Sequence, residues 1–540
     1  WKRSLRAHRN YWVETPGFRS KYGPFLLSSY HYGFSEKVEG ILDMDYRQKR
    51  GFGYGPGLGY DLGRWGKGEM RYYRAQDEDP GLDLNSNPIP DERQRGYLQH
   101  VGTPFTNLTV RAALRYQSDQ QFIRDYFEKE YRDNVQPSTF LEVQKSWRNW
   151  SLNVMGQGQV NDFHQTIERL PDVKFTGLRQ QLGETPLFYE SESSFGYFRR
   201  RYGTAGLDGY GAMRADTFHQ ILLPKTYFNW LNVTPRVGSR GTHYGEVDGR
   251  GSPFNERDRY VFNTGAEFST KASRVWSGAR NRFFEIDGLR HIVEPSLNYA
   301  FVPTPSRIPR ELPQFDYEIP SRRLLPINYP DYNAIDSVDS QNVVRMGLRN
   351  RLQTRRDGQS EDVVSWALYS DWRLHPKLGQ GTYSDLYSDL DLAPFRWLEL
   401  SSELRYSLDD GDWKEANHHA TITPNNVWSV GVGHRYFRDD PLLGVDSGHN
   451  LFSTRFYYRL SENWGFRSVQ HFEARDGTME EQAYSVYRDF RSWTGVITFR
   501  VREGWRNEPT DYAVVVAFNF KASPRFKRGS DINEHSPLLY

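Results

Sequence analysis

The 540-residue chain contains no cysteine, so a disulfide framework, a thiolate nucleophile and a cysteine metal site are all closed to it. It also lacks a long hydrophobic run: the longest clear one, Tyr512 to Phe518, has seven residues. A spanning helix needs about 20, so no membrane helix is present in the sequence. Charge of one sign is missing too. Lys+Arg number 70 against 68 Asp+Glu, a net charge of +2, which leaves no global field to attract nucleic acid. Helical periodicity is scarce, and neither a G-x-S-x-G nucleophile elbow nor a G-x-G-x-x-G loop occurs.

What the chain has in excess is aromatic rings: 33 Phe, 35 Tyr and 15 Trp, 15% of all residues. Disordered chains lack aromatics at this density, so disorder is excluded. Yet mean hydropathy is −0.78. The two facts meet in two-residue alternation. Leu108, Val110, Ala112, Leu114 and Tyr116 alternate with Thr109, Arg111, Ala113 and Arg115, and similar runs lie around Val364–Trp372 and Leu398–Leu408. Such runs are strands with one apolar and one polar face.

A soluble two-sheet sandwich also shows charged outer faces. Strand length and Trp position separate the two readings. Many runs reach about ten residues, enough for a tilted strand to cross a bilayer. Trp recurs after polar turns, at the start of strands: Trp150, Trp230, Trp397, Trp428, Trp464 and Trp493. The last four are 29 to 36 residues apart, one hairpin per interval. A Trp at each turn is the pattern of an interfacial girdle. The expected fold is therefore all-β: a large transmembrane antiparallel β-barrel with long extracellular or luminal loops. Residues 22–520 at roughly 20 residues per strand and turn give about 25 strands, and single-chain bacterial barrels favour even counts, 24 or 26. Polar stretches near Asp77–Glu92, Gly238–Asp258 and Pro303–Gln341 interrupt the meander, the last with too many prolines for a ladder strand. It is expected to be an ordered loop, either outside or folded into the lumen.

Gly51, Gly53, Gly55, Gly57 and Gly59 fall at every second residue between aromatic and apolar neighbours. On a strand they make one bare face, which fits either a bend with close packing or a surface along which something slides. His418 and His419 point to opposite faces of a strand and cannot chelate one metal together. Carboxylates such as Asp43, Asp45, Glu399 and Glu403 alternate with arginines, as in ladders of cross-strand ion pairs. No metal, cofactor or catalytic group is expected.

The segment Arg169-Leu170-Pro171, followed by Val173, Phe175 and Leu178, resembles the LPS-assembly outer-membrane family LptD. His291-Ile-Val-Glu294-Pro295 through Tyr299 and Pro303 is similar to that family's H-x-x-x-P-x-x-x-Y-x-x-x-P strand, and Tyr484–Trp493 to its penultimate strands. The resemblance implies a 26-stranded barrel in the bacterial outer membrane that delivers lipopolysaccharide to the outer leaflet. It implies a plug lipoprotein, LptE or an equivalent, and the bridge protein LptA reached through an N-terminal periplasmic jellyroll. The chain starts at Trp1 without Met or signal peptide and is expected to begin just after that jellyroll. Residues 1–21 are then a junction, 22–520 the barrel and 521–540 a tail. The family's paired cysteines before the final strands are missing here, which puts disulfide control in doubt.

A lipid with a charged sugar head cannot cross a closed pore, because its tails need lipid and its head needs water. A barrel that opens between first and last strands meets both needs. The first candidate strand runs from Tyr22 to Phe34 and carries Pro24, which removes a ladder donor. The expected gate sets Pro24, Phe25 and Leu27 against Tyr512, Val514, Val516 and Phe518; alternatively, Pro24 merely starts its strand. The competing functions are a nutrient porin or transporter, an outer-membrane enzyme and a soluble binding protein.

Overall fold

Alternating sequence becomes one continuous antiparallel ladder. The computed structural model describes residues 10–520 except 84–86, 134–137, 204–206, 252–253, 317–320, 329–333, 440–447, 492 and 505–508. The expected tail, 521–540, and residues 1–9 of the expected junction lie outside the described residues. The sheet contains 28 ladder segments. Two of them, Lys225–Tyr227 and Ala272–Asn281, extend the strands Tyr210–Leu222 and Arg257–Thr270 along the same partners. The wall therefore has 26 strands, and the first pairs with the last to close it.

The wall opens with β1 (Asn10–Arg19), β2 (Gly23–Gly33), β3 (Val38–Arg47), β4 (Gly51–Asp61) and β5 (Lys67–Gln76). It thus begins at Asn10 and not at Tyr22, and most of the described part of the expected junction, residues 10–21, is strand. The sequence Thr15-Pro16-Gly17 reads as turn punctuation, which hides β1. A second correction concerns the expected loop Gly238–Asp258. Gly238 to Tyr244 belong to the strand Leu231–Tyr244, and the next strand starts at Arg257. Its inward side chains are polar: Arg240 and Thr242 both bond Asp216, at 2.5 and 2.7 Å. A strand with one polar face and scattered glycines looks like loop when read without its partners.

Alternation also sets which face meets which solvent. On the last strand, Asp511–Phe520, Ala513, Val515 and Ala517 are buried inward, while Tyr512, Val514 and Phe518 are 50, 38 and 41% exposed on the outside. The barrel is inside out relative to a soluble protein: its outer face is apolar, and Arg47, Arg93, Arg259 and Arg500 are among its most buried side chains. The six tryptophans that open strands all do so on strands running parallel to β1, and hence share one rim. Turns at that rim include the two-residue connections 106–107 and 357–358. The long connections 77–91, 118–139 and 303–340 all lie at the opposite rim. Short turns mark the periplasmic side and long loops the extracellular side.

Described residues of the proline-rich connection 303–340 pack against the inner wall. Leu312 and Phe315 are fully buried in a cluster with Phe198, Tyr210, Ala212 and Tyr244. Asp336, also fully buried, fastens it: its carboxylate accepts from Arg214 (2.8 Å), Tyr244 Oη (2.5 Å) and the backbone N–H of Phe315 (2.6 Å). Asp336→Ala strands Arg214 among buried groups, although Asp316 still pairs with it. We expect a loss of about 3–5 kcal/mol, read as earlier proteolysis of the loop and a lower unfolding midpoint.

Candidate functional site

The glycine face on β4 is a packing device. A Cβ on Gly55 would lie 1.8 Å from the carbonyl oxygen of Tyr72, and one on Gly53 would lie 2.1 Å from Tyr73 Oη. Ladder pairing between β4 and β5 is interrupted at Gly55 and Pro56, where the neighbouring backbone comes close. Gly57 sits more loosely, with Arg71 Cγ at 3.1 Å, and Gly59 has open space. Gly51 has φ +75°, which calls for glycine on its own account. Tyr73, so admitted, donates to Asp45 at 2.8 Å and accepts from Arg47 at 2.9 Å, building a buried luminal network.

The seam is the thinnest part of the wall. β1 pairs with β2 over ten rungs, Asn10↔Tyr32 to Arg19↔Gly23, and the last strand pairs with Trp493–Arg502 over another ten. Between β1 and the last strand only Gly17↔Val515, Phe18↔Val514 and Arg19↔Ala513 are paired. The parity of the ladder explains where it stops. Ser20 N–H donates to Tyr512 O at 2.9 Å, so the amides of alternate residues, Phe18 and then position 16, also point at the last strand. Position 16 is proline and has no N–H. The ladder fails at the first rung that asks Pro16 for a donor, and the periplasmic part of the seam is left unpaired.

The expected gate residues are distributed differently from expectation. Pro24 lies on β2, one strand in from the seam. Its carbonyl accepts from Gln48 N–H, so its missing donor faces β3. Phe25 and Leu27 point inward and cluster with Tyr22, Ala513 and Val515. Phe25 reaches the last strand by crossing Gly17, where a Cβ would sit 2.5 Å from its Cζ. Tyr512, Val514 and Phe518 are on the other, outer face, and Val516 shares their register. The two sets therefore border the seam from opposite sides. Pro16 and Gly17 were missed, although the Pro-Gly pair between alternating segments was the available signal.

The extracellular end of the seam is closed differently, by charge. The connection 118–139 carries α1 (Phe122–Tyr126) and α2 (Glu128–Asp133). Phe122, Ile123 and Tyr126 pack on Tyr73 and Ala75 of β5, and Tyr22 Oη donates to the Asp125 carbonyl. Arg93 holds Asp77, Asp119 and Asp125 at 2.6–2.9 Å. Glu128 then reaches across the seam. It binds Arg19 of β1 at 3.0 Å, and on the far side Arg500 at 3.4 Å and Arg502 at 2.5 Å, with Arg132 of its own helix at 2.8 Å. Asp511 on the last strand joins the same arginines, 2.6 Å from Arg19 and 3.3 Å from Arg500. Burial alone would raise the Glu128 pKa; Arg19, Arg500, Arg132 and Arg502 outweigh it and hold the carboxyl well below its usual range. A lowered folded pKa contributes stability above the unfolded value and loses it only as pH falls through the folded one.

Residues 92–464 match the family model described as LptD, LPS transport system D. The chain belongs to the LptD family. This family membership and the wall together make it a lipopolysaccharide-transport barrel of the bacterial outer membrane. No curated protein matches the sequence. Among solved structures, the chain is similar to the siderophore receptor PirA from Pseudomonas aeruginosa, at 9% identity and TM-score 0.33 over 94% of this chain and 79% of that one. It is also similar to BauA, the ferric preacinetobactin receptor from Acinetobacter baumannii, at 8% identity and TM-score 0.33 over 95% and 80%. Overlaps that low carry no functional inference. Of the LptD motifs, His291–Val302 lies in the strand Ile286–Val302, Arg169-Leu170-Pro171 marks a register shift in the strand Thr166–Gln181, and Tyr484–Asp489 lies in the strand Thr478–Asp489. Among the described residues no group of three His, Cys, Asp or Glu is placed to hold a metal, and His418 stacks on His434.

Two outcomes are expected from this geometry. Gly55→Ala should cost the barrel about 3 kcal/mol or prevent folding, while Gly59→Ala is neutral, as read from the heat-modifiable band on a gel. Amide exchange in α2, corrected for intrinsic rate, should stay constant from about pH 8 to about pH 5, because Glu128 remains ionised throughout.

Proposed function

We propose that lipopolysaccharide leaves this LptD-family barrel sideways, between β1 and the last strand. The observation that carries the reading is the seam itself: three paired rungs where neighbouring interfaces of the same strands have ten. In lipid, an unpaired backbone group costs several kcal/mol, so a weak ladder is expensive unless the gap is used. Pro16 removes a donor in the middle of the seam, and Gly17 leaves β1 thin beside it. The sugar head rides the polar lumen while the acyl chains pass through the gap into the leaflet.

The partners that the family resemblance implies suit the same geometry. A lumen of 26 strands is wider than that of the 22-stranded transporters, which are already plugged. Described residues of the connection 303–340 cover part of the wall, and a lipoprotein plug, LptE or an equivalent, fills the remainder. The unpaired stretch begins at the periplasmic rim, where a bridge protein of the LptA type delivers lipid through a jellyroll preceding β1. The residues that work the gate are Pro16, Gly17 and Phe18 against Val514, Val515 and Val516, with Phe25 and Leu27 as the inner lining and Pro24 weakening the next strand pair.

Phe18→Cys and Val514→Cys occupy opposed positions on the outer face. Joined by a short bifunctional thiol reagent, they should stop the arrival of lipopolysaccharide at the cell surface while the barrel keeps its folded mobility. Continued export with the seam locked overturns the lateral route, and ion flow through a locked barrel in planar bilayers would favour a nutrient pore. Pro16→Ala restores one ladder donor, a net gain of about 1 kcal/mol, and should slow export without stopping it.

A further inference from the structure

Above the gap, the charge cluster surrounds a cavity of about 80 Å³. Six cationic side chains line it: Arg19, Lys21, Arg50, Arg124, Arg132 and Arg502, against four carboxylates. Arg50 is 7% exposed, and its Nε has no hydrogen-bond partner. Glu128, the carboxylate at the centre, comes from a connecting loop and not from the wall, and it reaches arginines on both sides of the seam. Asp511 is fixed in the wall and keeps Arg19 and Arg500 in place whether or not Glu128 is there.

We propose that this cavity is a phosphate site, and that a phosphate monoester on the lipid headgroup displaces Glu128 from Arg19, Arg500 and Arg502 and so releases the α1–α2 clasp over the seam. The exchange is chemically favoured. A monoester carries a charge of about −1.5 to −2 and three acceptor oxygens, against one charge and two oxygens on Glu128. Guanidinium groups present forks that match phosphate as well as carboxylate. The position suits a headgroup: the cavity lies at the extracellular end of β1 and the last strand, where a lipid emerging into the outer leaflet would place its phosphates. Closure then persists until cargo arrives, since the group that opens the clasp is borne by the cargo. This rests on the lateral route proposed above, and its test is independent of export.

The barrel, purified in detergent, is mixed with bisphosphorylated lipid A, with the same lipid dephosphorylated, or with inorganic phosphate, and amide exchange is followed over Phe122–Asp133. The bisphosphorylated lipid should speed exchange of α2 and bind about tenfold more tightly than the dephosphorylated one. Glu128→Gln should give fast exchange with no lipid added. Arg502, whose side chain is 40% exposed, can be removed without burying a lone charge. Arg502→Ala should weaken lipid A binding about tenfold in a barrel of normal folded mobility. Inorganic phosphate that reproduces the loosening at low concentration makes free phosphate a ligand of the site; lipid A acting alone restricts it to the headgroup. Equal binding of both lipids, or α2 exchange unchanged by the phosphorylated one, overturns the proposal. The lateral route survives that result if the locked seam still blocks export, and falls separately if it does not.

Discussion

Backbone groups in hydrocarbon have nowhere to turn except to each other, and everything in this molecule follows from that demand. A spanning sheet must close, since an open edge in lipid leaves a row of unpaired N–H and C=O groups. The wall of 26 strands meets the demand almost everywhere with ladders of continuous rungs. The largest deficit is at the closure itself. There the ladder has three rungs and then meets Pro16, a residue that cannot supply the fourth. The deficit sits in the strand pair whose separation opens the barrel without disturbing any hairpin.

A seam so weak in hydrogen bonds needs another source of closure, and the chain places it at the extracellular end. Glu128, Asp511, Arg19 and Arg500 form the buried part of an ion cluster at the extracellular rim, with Arg502 and Arg132 at its exposed margin. Buried ion pairs contribute little net stability compared with apolar packing, but breaking one partner away is costly. That asymmetry suits a closure better than a core. It is rigid while complete and fails sharply when one member is replaced. The apolar patch of Tyr22, Phe25, Leu27, Ala513 and Val515 beneath it adds a water-excluding layer on the luminal side.

Much of this was legible in the sequence, for a physical reason. Strand alternation, Trp at turns and roughly ten-residue spans are set by the bilayer and recur along the whole wall, so the barrel and its size could be read from periodicity. Six strand-opening tryptophans sharing one rim is the same signal seen in three dimensions. What periodicity does not carry is partnership. β1 reads as junction because the segment before Tyr22 is polar, while Pro16 and Gly17 within it are why its pairing fails. Pro24 drew attention as a missing donor, yet which neighbour loses the bond depends on ladder parity, which only the turn Ser20–Tyr22 settles. The second half of the strand Leu231–Tyr244, from Gly238, reads as loop because Arg240 and Thr242 are satisfied by Asp216 on another strand. The clasp was invisible for the same reason: Glu128 lies 109 positions from Arg19 and 372 from Arg500.

The glycine face shows how far the luminal network depends on backbone geometry. Gly53 and Gly55 let Tyr73 and the backbone of Tyr72 approach β4, and Tyr73 then joins Asp45 and Arg47 in a buried triad. Tyr73 also forms the floor on which α1 packs through Phe122 and Tyr126. The bare face of β4 thus reaches the seam by two steps, through the tyrosine it admits and the helix that tyrosine supports. A Cβ at Gly55 would push β5 outward and tilt that floor, and Glu128 hangs from the far end of the same loop. The gate is weak by one proline, but it is positioned by glycines three strands away from β1.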